Sequence, residues 1–142
     1  CDFEQLSWYG CGPWDNYPDR KHSSVVGLWK SNVTNQYTHY PRPQDNGNHE
    51  DCSMVELKSA DGHIFRIEAD GAPFSFSALH YSDVDIATAT HDYQLIPSKY
   101  TYLKINCAVL GLGNGSCGPG VLKKYSIDRT KSHTLKFRMY IR

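Results

Sequence analysis

The glycine-rich stretch Leu110–Gly120 is the part of this sequence whose residue types and spacing most suggest a chemical role, because five glycines recur there as GxGxGxxGxG. Loops of this kind hold phosphates when a strand precedes them and a helix follows. A strand-like segment does precede this loop. However, no helical pattern follows it, no Lys-Ser or Lys-Thr pair ends it, and no acidic residue stands about 20 positions further on in a βαβ unit. The glycines therefore predict a tight turn whose backbone amides can face a ligand.

Cysteine and histidine chemistry finds little support in the spacing. Cys117 has no adjacent His, Asp or Lys in sequence that would lower the pKa of its thiol, which argues against a catalytic nucleophile. The seven histidines form no HxH or HExxH pattern, so we predict no metal site. The cysteines are five in number and lack a CxxC pair, which favours free thiols, although one disulfide stays open in an oxidising compartment. They are Cys1, Cys11, Cys52, Cys107 and Cys117.

Composition limits the class of protein. A length of 142 residues predicts one domain, and 39% hydrophobic with 21% charged residues is typical of a folded chain. Fifteen basic residues balance fifteen acidic ones, so no polycationic surface is available to bind nucleic acid. No apolar run approaches the roughly 18 residues of a membrane span, so we expect no membrane association.

Period-two alternation predicts most of the strands. Met54–Lys58 and Ile64–Glu68 form a predicted hairpin around a turn at 60–62, and Phe74–Leu79 is expected to be buried on both faces. Further strands are predicted at Tyr100–Val109 and Thr134–Ile141.

The remaining segments are predicted to be loops with one helix. Ser82–His91 has an N-cap serine followed by acidic residues, as a short helix does. Trp8–Gln44 is rich in Gly, Pro, Asn and Asp and predicts a long structured loop containing a short strand at Ser24–Trp29, while Val121–Ile127 is expected to be extended. Short strands with almost no helical periodicity indicate an all-β antiparallel sandwich that occupies residues 1–142 as a single domain.

Four segments resemble a known family. Trp8–Arg20 (WYGCGPWDNYPDR) is similar to the GxGPxENYxDR signature that opens the last domain of family-two β-galactosidases, with Asp15 in place of Glu. Its matching residues are Gly10, Gly12, Pro13, Asn16, Tyr17, Asp19 and Arg20. Three further segments resemble family blocks in the same order: Tyr40–Asn48 (YPRPQDNGN), Phe74–Ser82 with Thr90–Leu95, and Leu110–Gly120.

The resemblance implies a fold and a role. The expected fold is the antiparallel super-sandwich shared with galactose mutarotases, with at most one short helix. The expected function is that of a non-catalytic C-terminal domain of a retaining β-galactosidase, which hydrolyses terminal β-D-galactosides. Such a domain would support the catalytic barrel and shape the mouth of the active site. A chain that begins at Cys1 without methionine is what a piece of a larger protein would show, and a lipidated Cys1 of a bacterial lipoprotein is the alternative.

Residue roles carry over by position. Aligning the Gly-rich loops places Cys117 where family members have a tryptophan that stacks on the leaving-group sugar, and a thiol offers much less area for this contact. Substrate-mouth candidates are Asn114, Ser116 and Cys117. Residues expected to structure the loop or contact another domain are Trp14, Asn16, Tyr17, Asp19 and Arg20, with Arg20 expected to form a bidentate pair with Asp15 or Asp19.

Catalysis is expected elsewhere in the parent enzyme. Retaining glycosidases need two carboxyl groups about 5–5.5 Å apart, which this family places on a barrel that the chain lacks. We therefore predict no catalytic residue, no metal ligand and no cofactor in this chain, with any Mg or Na ions of the full-length enzyme bound outside it. The fragment alone should be inactive.

The expected partners are the barrel and other domains of the same polypeptide and a β-galactoside substrate, in an enzyme that could be a homo-oligomer. The compartment, bacterial cytoplasm or periplasm, stays open. Two other functions stay open too. One is a freestanding carbohydrate-binding module that uses Trp8, Tyr9, Trp14 and Tyr17 as a sugar platform, the same rings that would otherwise pack against the barrel. The other is an aldose epimerase, which needs a facing His and Glu that no local motif supports.

Overall fold

A computed structural model describes residues 3–113 and 118–142, which form two antiparallel sheets. The larger sheet has the order β2-β1-β4-β5-β8 and the smaller one has the order β3-β6-β7. The strands are β1 (Phe3–Gly12), β2 (Val25–Asn32), β3 (His49–Cys52), β4 (Met54–Ser59), β5 (Ile64–Ala69), β6 (Phe74–Leu79), β7 (Tyr102–Asn106) and β8 (Phe137–Ile141). The predicted all-β sandwich is confirmed.

The hydrophobic core lies between the two sheets. Alternate residues of β1, β4 and β5 meet the inward face of β6, which explains why the period-two pattern marks these strands. The cluster comprises Leu6, Trp8, Val33, Cys52, Val55, Leu57, Ile67, Phe74, Phe76 and Ala78.

The predicted hairpin is present as β4 and β5, with Val55 opposite Ile67 and Leu57 opposite Phe65. Gly62 has a φ of +94° in the connecting turn, a conformation that glycine adopts without strain. All six residues of β6 are buried, as predicted, because the face of this strand turned away from the core is also covered. A second cluster there joins Leu79 to Tyr37 and Ile86.

The predicted helix is shorter than expected. Helix α1 spans Asp83–Thr88, and Ser82 caps it: its hydroxyl accepts a 3.1 Å hydrogen bond from the Asp85 N–H, and the Asp85 carboxylate accepts one from the Ser82 N–H. Within the described part of the chain this is the one α-helix, and single 3₁₀ turns occur at Lys21–Ser23, Thr34–Gln36, Asp92–Gln94 and Lys123–Tyr125. None of the described helices is long and apolar enough to cross a bilayer.

The main correction concerns the long loop predicted for Trp8–Gln44. Residues up to Gly12 belong to β1, and β2 is an eight-residue strand, because Trp8 pairs with Trp29 on one side and with Val55 on the other. Partners distant in sequence thus override the turn-forming composition of the segment. The extended prediction for Val121–Ile127 is also wrong in part, since a 3₁₀ turn occupies Lys123–Tyr125.

Candidate functional site

The first two motif blocks are joined by a buried pair of asparagines. The backbone N–H of Asn16 donates to the Asn48 carbonyl at 2.7 Å, and Asn48 Nδ2 donates to the Asn16 carbonyl at 2.8 Å. Both residues are at most 2% exposed, so these hydrogen bonds are shielded from water. The loop that follows β1 is therefore held against the segment that enters β3.

The Asn16 side chain uses both ends of its amide. Its Oδ1 accepts a 2.8 Å hydrogen bond from the Glu50 N–H, and its Nδ2 donates to the Trp14 carbonyl at 3.0 Å. Burial raises the pKa of Glu50, against the opposing effects of a hydrogen bond from Asn48 and the charge of Lys21. Asn16 thus fixes the path of its own loop and the start of β3.

Tyr17 lies inside the chain and does not form an exposed platform. It is 2% exposed, and its hydroxyl is buried without a hydrogen-bond partner among the described residues. Burial, followed by the nearby carboxylates of Asp45 and Asp15, raises the pKa of this phenol. The expectation that Trp8 and Tyr17 offer their rings to another domain or a sugar is wrong, because Trp8 is only 1% exposed and packs in the core.

Asp19 holds the base of the Gly-rich loop. Its Oδ1 accepts a 3.0 Å hydrogen bond from the Leu112 N–H, and its Oδ2 accepts a 2.6 Å hydrogen bond from the Gly113 N–H. Charge-assisted hydrogen bonds to two successive amides position a backbone strongly. We call this arrangement the Asp19 clamp.

Two glycines make the Asp19 clamp possible. A Cβ on Gly111 would lie 2.8 Å from the Asp19 carboxyl carbon, so only glycine lets the backbone come this close. Gly113 has a φ of +60°, and a Cβ there would lie 2.8 Å from the backbone nitrogen of Val121. The chain entering the loop at Gly113 therefore lies against the chain leaving it at Val121.

A cleft of about 620 Å³ opens beside this clamp. Its floor is apolar, with Leu112, Leu122 and Tyr125, and its polar groups are Asp19 and Arg20. Gly113, Pro119 and Gly120 also line it. Such a mixture of apolar wall and few polar groups is typical of small-molecule sites.

Arg20 departs from the expected geometry. Its Nη1 lies 3.5 Å from Asp15 Oδ1 in a single contact, and its side chain is 50% exposed, so the predicted bidentate pair is absent. Both oxygens of Asp19 are turned towards backbone amides of the Gly-rich loop. Trp14 is 72% exposed, and the predicted mouth residues Asn114, Ser116 and Cys117 lie outside the described residues.

The glutamates stand outside the cleft. Glu56 and Glu68 both pair with Arg66, at 3.4 and 2.6 Å, on the solvent face of the larger sheet. Glu4 accepts hydrogen bonds from Thr34 and from His80, and these lower its pKa against the opposing effect of burial. No glutamate lines the cleft beside the Asp19 clamp.

Metal ligands do not cluster in the described ranges. Within residues 3–113 and 118–142, no group of three or more His, Cys, Asp or Glu side chains could hold a metal ion.

His49 is a buried histidine at the centre of the fold. Its ring lies 4.3 Å from that of Trp8 and 5.2 Å from that of Phe76. Its Nε2 is 2.8 Å from the Gln36 side-chain oxygen, and burial lowers its pKa to about 4. The ring is therefore neutral at pH 7 and supports the core.

The comparison with known proteins decides the family. The family model described as "Beta galactosidase small chain" matches residues 1–141. The chain belongs to the β-galactosidase small-chain family.

The curated proteins that match this chain are β-galactosidases, and the match covers only a small part of each. The chain is 36% identical to the β-galactosidase of Arthrobacter sp. (strain B7), an alignment that covers 97% of the chain and 14% of that enzyme. It is 34% identical to the enzyme of Staphylococcus xylosus over 95% of the chain and 14% of that protein. The β-galactosidase of Kluyveromyces lactis is 33% identical over 88% of the chain and 12% of its own length. This chain thus spans about one seventh of the length of these relatives.

Sequence reasoning identified the small-chain motif residues but not their contacts. Asp19 and Gly113 are 94 positions apart, and no local pattern pairs them. The available signal was weak: an acidic residue in one motif block and a loop with free backbone amides in another. His49, which occupies the core, carried no signal at all.

Proposed function

We propose that this chain is a non-catalytic C-terminal domain of a retaining β-galactosidase, where it supports the catalytic barrel and shapes the mouth of the active site. The observation that carries the proposal is the Asp19 clamp, which holds the base of the Gly-rich loop beside an apolar-floored cleft. Two charge-assisted hydrogen bonds to Asp19 fix the backbone at Leu112 and Gly113, where the loop begins beside the cleft.

The catalytic carboxyl groups lie in another part of the polypeptide. Glu56 and Glu68 share Arg66 and stand away from the cleft, and Glu4 is engaged by His80. A retaining mechanism needs two carboxyl groups that face one substrate, whereas these two carboxylates share an arginine on the solvent face of the sheet. The 142-residue chain by itself therefore has no hydrolase activity under this proposal, and any Mg or Na ions of the enzyme are bound elsewhere.

The test uses the complete enzyme that contains this chain. Asp19→Asn removes one acceptor of the clamp, and Asp70→Asn is the matched control, since Asp70 makes a surface ion pair with Arg138. We expect Asp19→Asn to raise the KM for lactose by roughly 3-fold to 10-fold with a smaller change in kcat, because the loop tip contributes binding rather than chemistry. Gly113→Ala should have the same effect, because a Cβ at Gly113 would strain the backbone of the same loop.

If both variants keep the KM, the kcat and the thermal stability of the wild type, the loop does not shape the active-site mouth. Hydrolysis of a galactoside by the 142-residue chain alone would overturn the non-catalytic role. An immunoblot of the source cells gives an independent check. A band several times larger than 16.1 kDa supports a domain of a larger enzyme, whereas a band at that size favours a freestanding sugar-binding protein.

A further inference from the structure

A second concave surface includes Trp14 of the first motif block. It is a groove of about 300 Å³ walled by Pro13, Trp14 and Trp29. Trp14 is 72% exposed, which is unusual for the largest apolar side chain. We call this surface the Trp14 groove.

The walls of the Trp14 groove are already ordered. Trp29 Nε1–H donates a 3.1 Å hydrogen bond to the Gly10 carbonyl, and a Cβ on Gly12 would come within 2.6 Å of the Trp29 ring. Asn16 Nδ2 donates to the Trp14 carbonyl at 3.0 Å and so holds the backbone that carries the exposed ring. Because these walls are already fixed, ligand binding would cost little conformational entropy of the protein.

Polar groups surround the aromatic walls. Asp15 lines the groove, with Oδ1 at 3.5 Å from Arg20 Nη1 and with Oδ2 buried and lacking any hydrogen-bond partner among the described residues. A carboxylate oxygen has two lone pairs, so Oδ1 can accept a hydroxyl hydrogen as well as this long contact. Lys30, Asn35 and Thr38 add donors and acceptors at the edge.

We propose that the Trp14 groove binds one neutral pyranose ring, at a site separate from the cleft beside the Asp19 clamp. The apolar C–H face of the sugar stacks on the Trp14 indole, as extended apolar faces do on aromatic rings. The sugar hydroxyls donate to Asp15 and accept from Lys30 and Asn35. The volume suits a single ring, and a purely apolar ligand would desolvate the Asp15 carboxylate without offering it a hydrogen bond.

The indole N–H signals of the three tryptophans report on this site directly by NMR. We expect methyl β-D-galactopyranoside, titrated into the 142-residue chain, to shift the Trp14 and Trp29 signals with a Kd of roughly 1–10 mM. The Trp8 indole N–H donates to the Cys11 carbonyl inside the core, so its resolved signal verifies the fold of every variant. Sorbitol at the same concentrations is the control for a polyol without a ring.

Trp14→Ala should raise the Kd at least about tenfold, measured on the Trp29 signal, and Asp15→Asn should raise it by about 3-fold to 10-fold. Tyr93→Ala is the matched aromatic control, since Tyr93 is 81% exposed elsewhere on the surface.

Three outcomes would each overturn the proposal. The sugar could fail to shift the Trp14 signal, sorbitol could cause equal shifts, or Trp14→Ala could keep full affinity. If sugar has no effect and Trp14 is also protected from acrylamide in the complete enzyme, the ring is a contact between domains instead. None of these variants alters the Asp19 clamp, so this test and that of the proposed function fail independently.

Discussion

The carboxylate of Asp19 accepts a 2.6 Å hydrogen bond from the backbone N–H of Gly113, 94 positions further along the chain. Together with the hydrogen bond that the Leu112 N–H donates to the other carboxylate oxygen, this contact joins the first motif block to the Gly-rich loop. The neighbouring Arg20 pairs instead with Asp15. The loop conformation therefore depends on a residue that lies far from it in sequence.

The Asp19 clamp should contribute measurably to stability. Asp19→Asn replaces one acceptor with an N–H₂ group that faces a backbone donor, so we expect the free energy of unfolding to fall by about 1–3 kcal/mol. Urea titration of the 142-residue chain measures this, and amide exchange should quicken at Leu112 and Gly113. The exposed Asp70→Asn control should lose less than about 1 kcal/mol, as surface ion pairs do. Equal losses in the two variants would contradict a special role for the clamp.

Replacing the side-chain amide of Asn16 should destabilise the folded chain. In Asn16→Asp an oxygen replaces the nitrogen that donates to the Trp14 carbonyl, and a charge becomes buried. We expect a loss of about 3–5 kcal/mol at pH 7, measured by thermal or chemical unfolding. Asn35→Asp, at an exposed position, is the control and should change stability by less than about 0.5 kcal/mol. A wild-type melting temperature for Asn16→Asp would show that the site adapts to the carboxylate.

His49 should make stability depend on pH. Burial lowers its pKa to about 4 from an ordinary value of 6.5, so the unfolded chain binds a proton at this ring more readily than the folded chain does. The stabilisation is complete above pH 6.5 and is lost as the pH falls towards 4, by up to about 3 kcal/mol. In His49→Phe this part of the slope should disappear, while the exposed control His133→Gln should keep it.

The free energy of unfolding of the parent and of His49→Phe, measured between pH 4 and 7, tests this prediction. All other titratable groups are present in both chains, so their contributions cancel when the two curves are subtracted. The difference between the two curves therefore isolates His49. If the two curves of unfolding free energy against pH run parallel across this range, folding does not lower the pKa of His49.

Gly10 should be irreplaceable for steric reasons. A Cβ at this position would overlap Cys52 Sγ and come within 2.8 Å of the Cys52 Cα, which belongs to the backbone of β3. We expect Gly10→Ala to destabilise the chain by about 1–3 kcal/mol, since backbone must move to accept the methyl group. Gly120→Ala is the control, because a Cβ there meets nothing within 4 Å. Similar melting temperatures for both variants would mean that β1 and β3 separate easily.

Elements with a local signature were predictable from the sequence. The alternation of β4 and β5 predicted their hairpin, and the Ser82 cap predicted helix α1, because each depends on residues within a few positions. The end of helix α1 was misplaced, since no capping residue marks Thr88. The family resemblance also needed only the motif residues, and the family model over residues 1–141 confirmed it.

What the sequence by itself determined was the class of fold, the hairpin, the capped helix and the family. Tertiary structure decided the rest, because it brought together residues that no short-range pattern relates. Strand β1 exists at Trp8 because Trp29 and Val55 pair with it on either side, despite the turn-forming residues that follow. The sequence named Asp19 as a loop residue, but only folding placed both of its oxygens on backbone amides of a loop far along the chain, where the charge of the carboxylate strengthens those bonds.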